Sequence, residues 1–150
     1  MKKFLGVMFF SILLVTGCSS TEEKKMTCTR SLSQNGMKIE LNYTVNYKGS
    51  TVAKVESIET VTSEDTNILE TYKQTVENIY SPYKDLEYYE YDLSIEGNTF
   101  TSKAVIDYEH IDTEKMISID SANAQIIKDG KINVDDMQKL YESVGASCTK

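Results

Sequence analysis

Between Met37 and Tyr47 the chain alternates without a break. Met37, Ile39, Leu41, Tyr43, Val45 and Tyr47 fall on one side, and Lys38, Glu40, Asn42, Thr44 and Asn46 on the other. Period two with one polar side marks a half-buried antiparallel strand. Asn35-Gly36 precedes this run and is a strong hairpin-turn signal, so residues 26–34 are expected to form the strand before it. Lys48-Gly49-Ser50 turns the chain again, and the β-branched run at 51–61 predicts a third strand. Ser63 then offers a helix N-cap, with Glu64 and Asp65 in a first turn whose dipole favours acids. Ile68, Leu69, Tyr72, Val76, Ile79 and Tyr80 follow at helical spacing until Pro82 stops the helix.

Alternation returns at 86–95, with Tyr89, Tyr91, Leu93 and Ile95 on one side. Gly97-Asn98 makes a turn, and Phe100, Ser102, Ala104, Ile106 and Tyr108 continue on a return strand. Residues 112–128 read as a second helix. Asn133 caps a last one carrying Met137, Leu140, Tyr141 and Val144, which Gly145 ends. Tyr43, Gly49 and Thr51 have counterparts 48 residues later in Tyr91, Gly97 and Thr99, which suggests a duplicated hairpin-plus-helix unit. The expected fold is α+β: an antiparallel sheet of about five strands with helices packed on one face, in the order β-ββα-ββα plus a terminal helix.

The start of the chain has a different pattern. Lys2 and Lys3 precede an apolar run from Phe4 to Val15 that is twelve residues long. A membrane span needs about 20 apolar residues, whereas twelve is the length of a signal-peptide core. The run ends in Val15-Thr16-Gly17-Cys18, which has the form of a lipobox with Val15 where Leu is usual. Small residues before the cysteine let a peptidase approach the backbone, and the Cys18 thiol takes a diacylglyceryl group. Residues 1–17 are therefore expected to be a lipoprotein signal peptide, 18–25 the lipidated cysteine with a polar tether, and 26–150 a single α+β domain. The two acyl chains of that group are enough for stable anchoring.

With Cys18 assigned to lipid, Cys28 and Cys148 remain as an even pair at the two ends of the domain. In an oxidising compartment they are candidates for a disulfide; on a reducing surface they would be two free thiols. The formal charge of −7 becomes −9 once Lys2 and Lys3 are removed. That argues against nucleic acid and against an electrostatic grip on anionic lipid.

Candidate chemistry is sparse. His110, the one histidine, sits in Asp107-Tyr108-Glu109-His110. On a strand Asp107 and Glu109 would share a face that His110 does not, and one histidine makes a poor zinc set, so solvated charges at a strand end are expected. Asp129-Gly130 looks like half of a calcium loop, but Ile127 would fall at a ligand position and cannot ligate. The chain has no Cys-x-x-Cys pair and no glycine-rich nucleotide loop, so no cofactor is expected. Tyr80, Tyr83, Tyr88, Tyr89 and Tyr91 cluster around Pro82 and form the candidate binding surface, since a tyrosine patch packs its rings and keeps its hydroxyls wet.

Lipobox Cys18, Thr27-Cys28-Thr29 opening the first strand, Asn35-Gly36, Tyr47-Lys48-Gly49 and a closing Cys148 follow one another in a set order. In that order and spacing the chain resembles the YehR-like family of small bacterial lipoproteins. The resemblance implies a single α+β domain, a Cys28–Cys148 pairing and no established activity. The expected function is that of a lipid-anchored, non-enzymatic interaction module of the cell envelope. Its membrane would be reached through diacylglyceryl on Cys18, in a Gram-positive cell membrane rather than a Gram-negative outer membrane, and its partner would be an envelope protein or wall component. The alternative is a binder of a peptide, glycan fragment or small apolar ligand. A lower alternative is a precursor whose cleaved signal peptide, through its tail at Phe10–Gly17, serves as a pheromone.

Overall fold

In the computed structural model, which describes residues 22–150, the alternating segments pair into one antiparallel sheet. The elements are β1 (Glu23–Gln34), β2 (Met37–Lys48), β3 (Thr51–Ser63), α1 (Thr66–Tyr80), β4 (Tyr89–Glu96), β5 (Thr99–Asp107), α2 (Thr113–Ile119), β6 (Ile127–Lys128), β7 (Lys131–Ile132), α3 (Val134–Ser143) and β8 (Ser147–Thr149). The sheet runs β4-β5-β3-β2-β1-β8, and β6 and β7 form a separate small ribbon. The α+β fold stands, with six strands in the main sheet where about five were expected.

Local chemistry explains the boundaries. Asn35 and Gly36 both take positive φ, 52° and 76°, the backbone of a type I′ turn, whose twist matches that of the flanking strands. β3 carries a bulge where the register shifts between Asn46 and Tyr47. The extra residue is Ala53, whose carbonyl accepts from the Tyr108 amide at 2.8 Å. The bulge lets Val52 and Val55 both reach the core, though three residues apart.

Several expected boundaries shift. β1 begins at Glu23 rather than Met26, so Glu23, Lys24 and Lys25, read as tether, pair with Lys48, Tyr47 and Asn46. Ser63 is not the cap of α1. β3 runs on to include it, and its buried hydroxyl accepts from the Asp65 amide at 3.2 Å. Asp65 is the cap, accepting from the Asn67 amide at 2.9 Å. β4 starts at Tyr89 because Leu86 is spent in successive turns and Tyr88 takes a φ of 67°. The long helix expected at 112–128 is three pieces. Asp112 caps α2, and Asp120 caps a 3-10 turn at Ser121–Gln125, which leads into β6. A second capping aspartate offers the backbone an alternative to continuing the helix. Asn133 caps α3 as expected, accepting from the Asp135 amide at 2.8 Å.

The three α-helices of the described residues lie against one face of the sheet. α1 closes a cluster of Ile39, Val61, Leu69, Val76 and Phe100. α2, α3 and the ribbon close a second around Met26, Val45, Val55, Met116, Ile132 and Met137. The opposite face carries Thr29, Ser31, Glu40, Asn42, Thr60, Thr101 and Lys103, with Lys103 bridging Glu56 at 3.2 Å. No helix of the described residues is long and apolar enough to cross a membrane. The expected signal peptide (1–17) and Cys18 lie outside the described residues.

Candidate functional site

The strand registers set the covered face out in transverse rows. One row reads Leu32, Ile39, Val61, Phe100, Ile95, and another Met26, Val45, Val55, Ile106, Tyr89. Both are apolar. Between them run Arg30, Leu41, Glu59, Ser102, Leu93 and then Cys28, Tyr43, Ser57, Ala104, Tyr91. A belt of polar side chains thus crosses the core face and separates the two apolar clusters. The cause is phase. Arg30, Ser57, Glu59 and Ser102 keep the period-two positions of their apolar neighbours and so must point toward the helices.

Glu59 is the hub of this belt. The Tyr72 hydroxyl, reaching down from α1, donates to one carboxylate oxygen at 2.5 Å, and the buried Ser102 hydroxyl donates to the other at 3.4 Å. Burial raises the Tyr72 pKa well above the usual tyrosine value, and the Glu59 carboxylate raises it further by holding its proton. Tyr80 turns its hydroxyl toward Ser102 and Ser57, and burial lifts its pKa as well. Tyr43 stacks on Tyr141 of α3 with ring centroids 4.1 Å apart. Arg30 ends beneath Gly145, its Nε 3.5 Å from where a Cβ on that glycine would sit. The belt can hold hydrogen bonds and offers one carboxylate and one guanidinium on either side of Leu41. It contains neither histidine nor free thiol. Among the described residues no three His, Cys, Asp or Glu side chains gather closely enough to hold a metal ion.

Glu59→Ala is expected to cost about 1–3 kcal/mol, because it strands the Tyr72 and Ser102 hydroxyls without their acceptor. Glu59→Gln, which keeps a carbonyl oxygen there, should lose less. Urea unfolding of the two variants checks the order, and equal losses would show that charge rather than hydrogen bonding matters at this point.

Of the residues nominated by sequence, Cys28 and Tyr91 stand in the belt and Tyr80 reaches it, while the others fall elsewhere. Tyr83 stacks on Tyr89 at 4.9 Å, and Tyr80 meets Tyr89 and Tyr91 at 6.4 and 5.5 Å. These four are packed or half-buried against the core, and only Tyr88 is exposed. The five tyrosines therefore do not share one surface, because strand alternation turns Tyr89 and Tyr91 inward while the turn carries Tyr88 out. Tyr88 instead lies over His110, 5.2 Å between ring centroids. β5 ends at Asp107, and the following turn brings His110 Nδ1 to 2.8 Å from the Asp107 carboxylate, which an extended strand would not allow. Asp107 is partly desolvated, which raises its pKa, but His110 and the Glu109 amide hold it lower overall. Asp129-Gly130 forms the turn of the β6–β7 ribbon, with φ of 49° and 72°. Cys28 and Cys148 face each other on β1 and β8 and are joined by a disulfide. No motif marks the belt in the sequence, but Glu59 and Ser102 stand in phase with Val61 and Phe100, which is a readable signal.

The architecture recurs in solved structures. An NMR structure of a protein from Streptococcus pneumoniae TIGR4 is similar with a TM-score of 0.55 at 12% identity, over 99% of this chain and 98% of that one. The NMR structure of the E. coli YehR protein is similar with a TM-score of 0.57 at 22% identity, over 85% of this chain and 93% of that one. At these identities the likeness is one of fold. No curated protein matches the sequence. The model of the family described as a protein of unknown function, DUF1307, matches residues 26–147, and the chain belongs to that family.

Proposed function

We propose that the protein is a lipid-anchored interaction module of the bacterial cell envelope and that its work is binding rather than catalysis. The observation that carries the binding part is the uncovered polar sheet face. Helices cover one side of a six-stranded sheet and leave the other, lined by Thr29, Ser31, Asn42, Thr60 and Thr101, without any described element across it. The anchoring part rests on Val15-Thr16-Gly17-Cys18 behind its apolar run. Detergent phase partitioning of the expressed chain tests it. Wild type is expected in the detergent phase, and Cys18→Ser in the aqueous phase or retained as uncut precursor. Wild type in the aqueous phase would sink the anchor.

The second reading, a small-ligand binder, is favoured by the belt, where Glu59, Tyr72 and Arg30 offer donors and acceptors of both charges. Thermal-shift measurements on wild type and Glu59→Gln against wall peptides and glycan fragments decide this. A stabilisation present in the first and absent in the second supports it.

A further inference from the structure

β4 closes one end of the sheet with nothing paired to its outer side among the described residues. It is eight residues long, Tyr89–Glu96, and pairs with β5 without a bulge. Natural edges are usually guarded by lysine, proline, a bulge or a very short strand, and the opposite edge of this sheet is covered over Thr27–Thr29 by β8. β4 has no such device. Its guard is acidic: Glu90, Asp92 and Glu96 stand exposed on the open face. Among the described residues none of the three has an ion-pair partner.

The phase of the ladder makes this edge specific. The Asp107 amide donates to the Tyr88 carbonyl at 3.0 Å. In an antiparallel pair, residues alternate between exchanging bonds with the partner and facing away. The even-numbered residues of β4 therefore bond to β5, and Tyr91, Leu93 and Ile95 present their amides and carbonyls to the free edge. Their side chains are half-buried beside α1. On the other face a depression of about 290 Å³ is walled by Glu90, Tyr91, Asp92, Lys103 and Val105.

We propose that this edge takes an extended segment of a partner protein by strand addition, and that the segment carries Lys or Arg at alternate positions with apolar residues between them. The apolar residues would extend the shelf of Tyr91, Leu93 and Ile95, and the basic ones would meet Glu90, Asp92 and Glu96. A second copy of β4 does not fit, because self-pairing sets Glu90 of each copy near Glu96 of the other on one face. The proposal rests on the interaction-module reading and names the surface and the partner chemistry.

The test uses the chain from Ser19 on, which contains every described element, and the peptide acetyl-Thr-Lys-Val-Lys-Val-Lys-Thr-amide. In NMR titration the largest shifts are expected in β4, with hydrogen exchange slowed at the Tyr91, Leu93 and Ile95 amides. Leu93→Pro removes an edge amide and no ladder bond, so its β2–β3 signals should persist while binding is lost. Glu90→Lys with Asp92→Lys should weaken binding about tenfold or more and favour the same peptide with Glu in place of Lys. No binding, binding that survives Leu93→Pro, shifts centred elsewhere, or a β4-to-β4 dimer would each overturn the proposal. Cross-linking in intact envelopes separates the two claims. A partner held equally by wild type and Leu93→Pro overturns the edge and keeps the interaction reading, whereas no partner for either overturns that reading.

Discussion

Replacing Cys28 and Cys148 together by alanine is expected to cost about 3–5 kcal/mol. The bond joins residues 120 apart, and closing a loop of that length in the unfolded chain accounts for roughly 5 kcal/mol before any strain is subtracted. A single domain has about 5–15 kcal/mol in all, so the loss would be a large share. The structure locates where it would be felt. β8 has three residues and pairs with β1 only at Thr27–Thr29. Cys28 is fully buried in the cluster that also holds Met137 and Ala146. Without the bond, β8 should detach first, and its amides should exchange while those of β2 and β3 stay protected. Urea unfolding with hydrogen exchange measures both. An unchanged midpoint would mean that packing at Met137 and Ala146 holds the terminus by itself.

The second large effect is alkaline. Burial is the leading cause of raised pKa values at Tyr43, Tyr72, Tyr80, Tyr89, Tyr108 and Tyr141. Below the ordinary tyrosine pKa of about 10 both states keep these protons and stability is flat. Above it the unfolded chain releases protons that the fold retains, so the unfolded state binds fewer and stability falls as pH rises. A proton fully retained is worth about 1.4 kcal/mol per pH unit, and the more exposed Tyr72 and Tyr43 contribute less through solvent screening. The domain should hold to about pH 10 and then unfold cooperatively within about two units. Tyrosinate absorbance and far-ultraviolet circular dichroism should change together. A gradual rise in tyrosinate with unchanged dichroism would show that the hydroxyls are solvated.

Much of the fold could be read where one pattern dominated. The alternation from Met37 to Tyr47 and the Asn35-Gly36 turn placed β2 and its partner, because a half-buried strand has one face to satisfy. Short elements were not legible. Ser147–Thr149 is too brief to show a period, and its strand exists because β1 offers an edge and Cys28 a bond. The segment at 112–128 has helical composition, but Asp120 ends one turn and caps the next. Ser63 and Asp65 are both good caps, and only the length of β3 decides between them. The candidate site was the least legible part. Tyr80 through Tyr91 are neighbours in sequence, yet alternation and the turn at Tyr88 send them to different places. Glu59, Tyr72 and Ser102 are spread over 43 residues and meet only through the register of β3 with β5 and the seating of α1.

That β1 and β8 adjoin also sets an order on folding. The paired cysteines of β1 and β8 stand 120 residues apart, so from Thr27 to Thr29 the sheet keeps a bare edge until Ser147–Thr149 arrives. A pairing this distant in sequence is slow to close, because the loop between must be ordered before the contact rewards it. The central hairpins join near neighbours, but the closing strand and the bond that secures it must wait for the long loop between them to close. β8 is therefore the segment that turns a partly paired sheet into a finished fold.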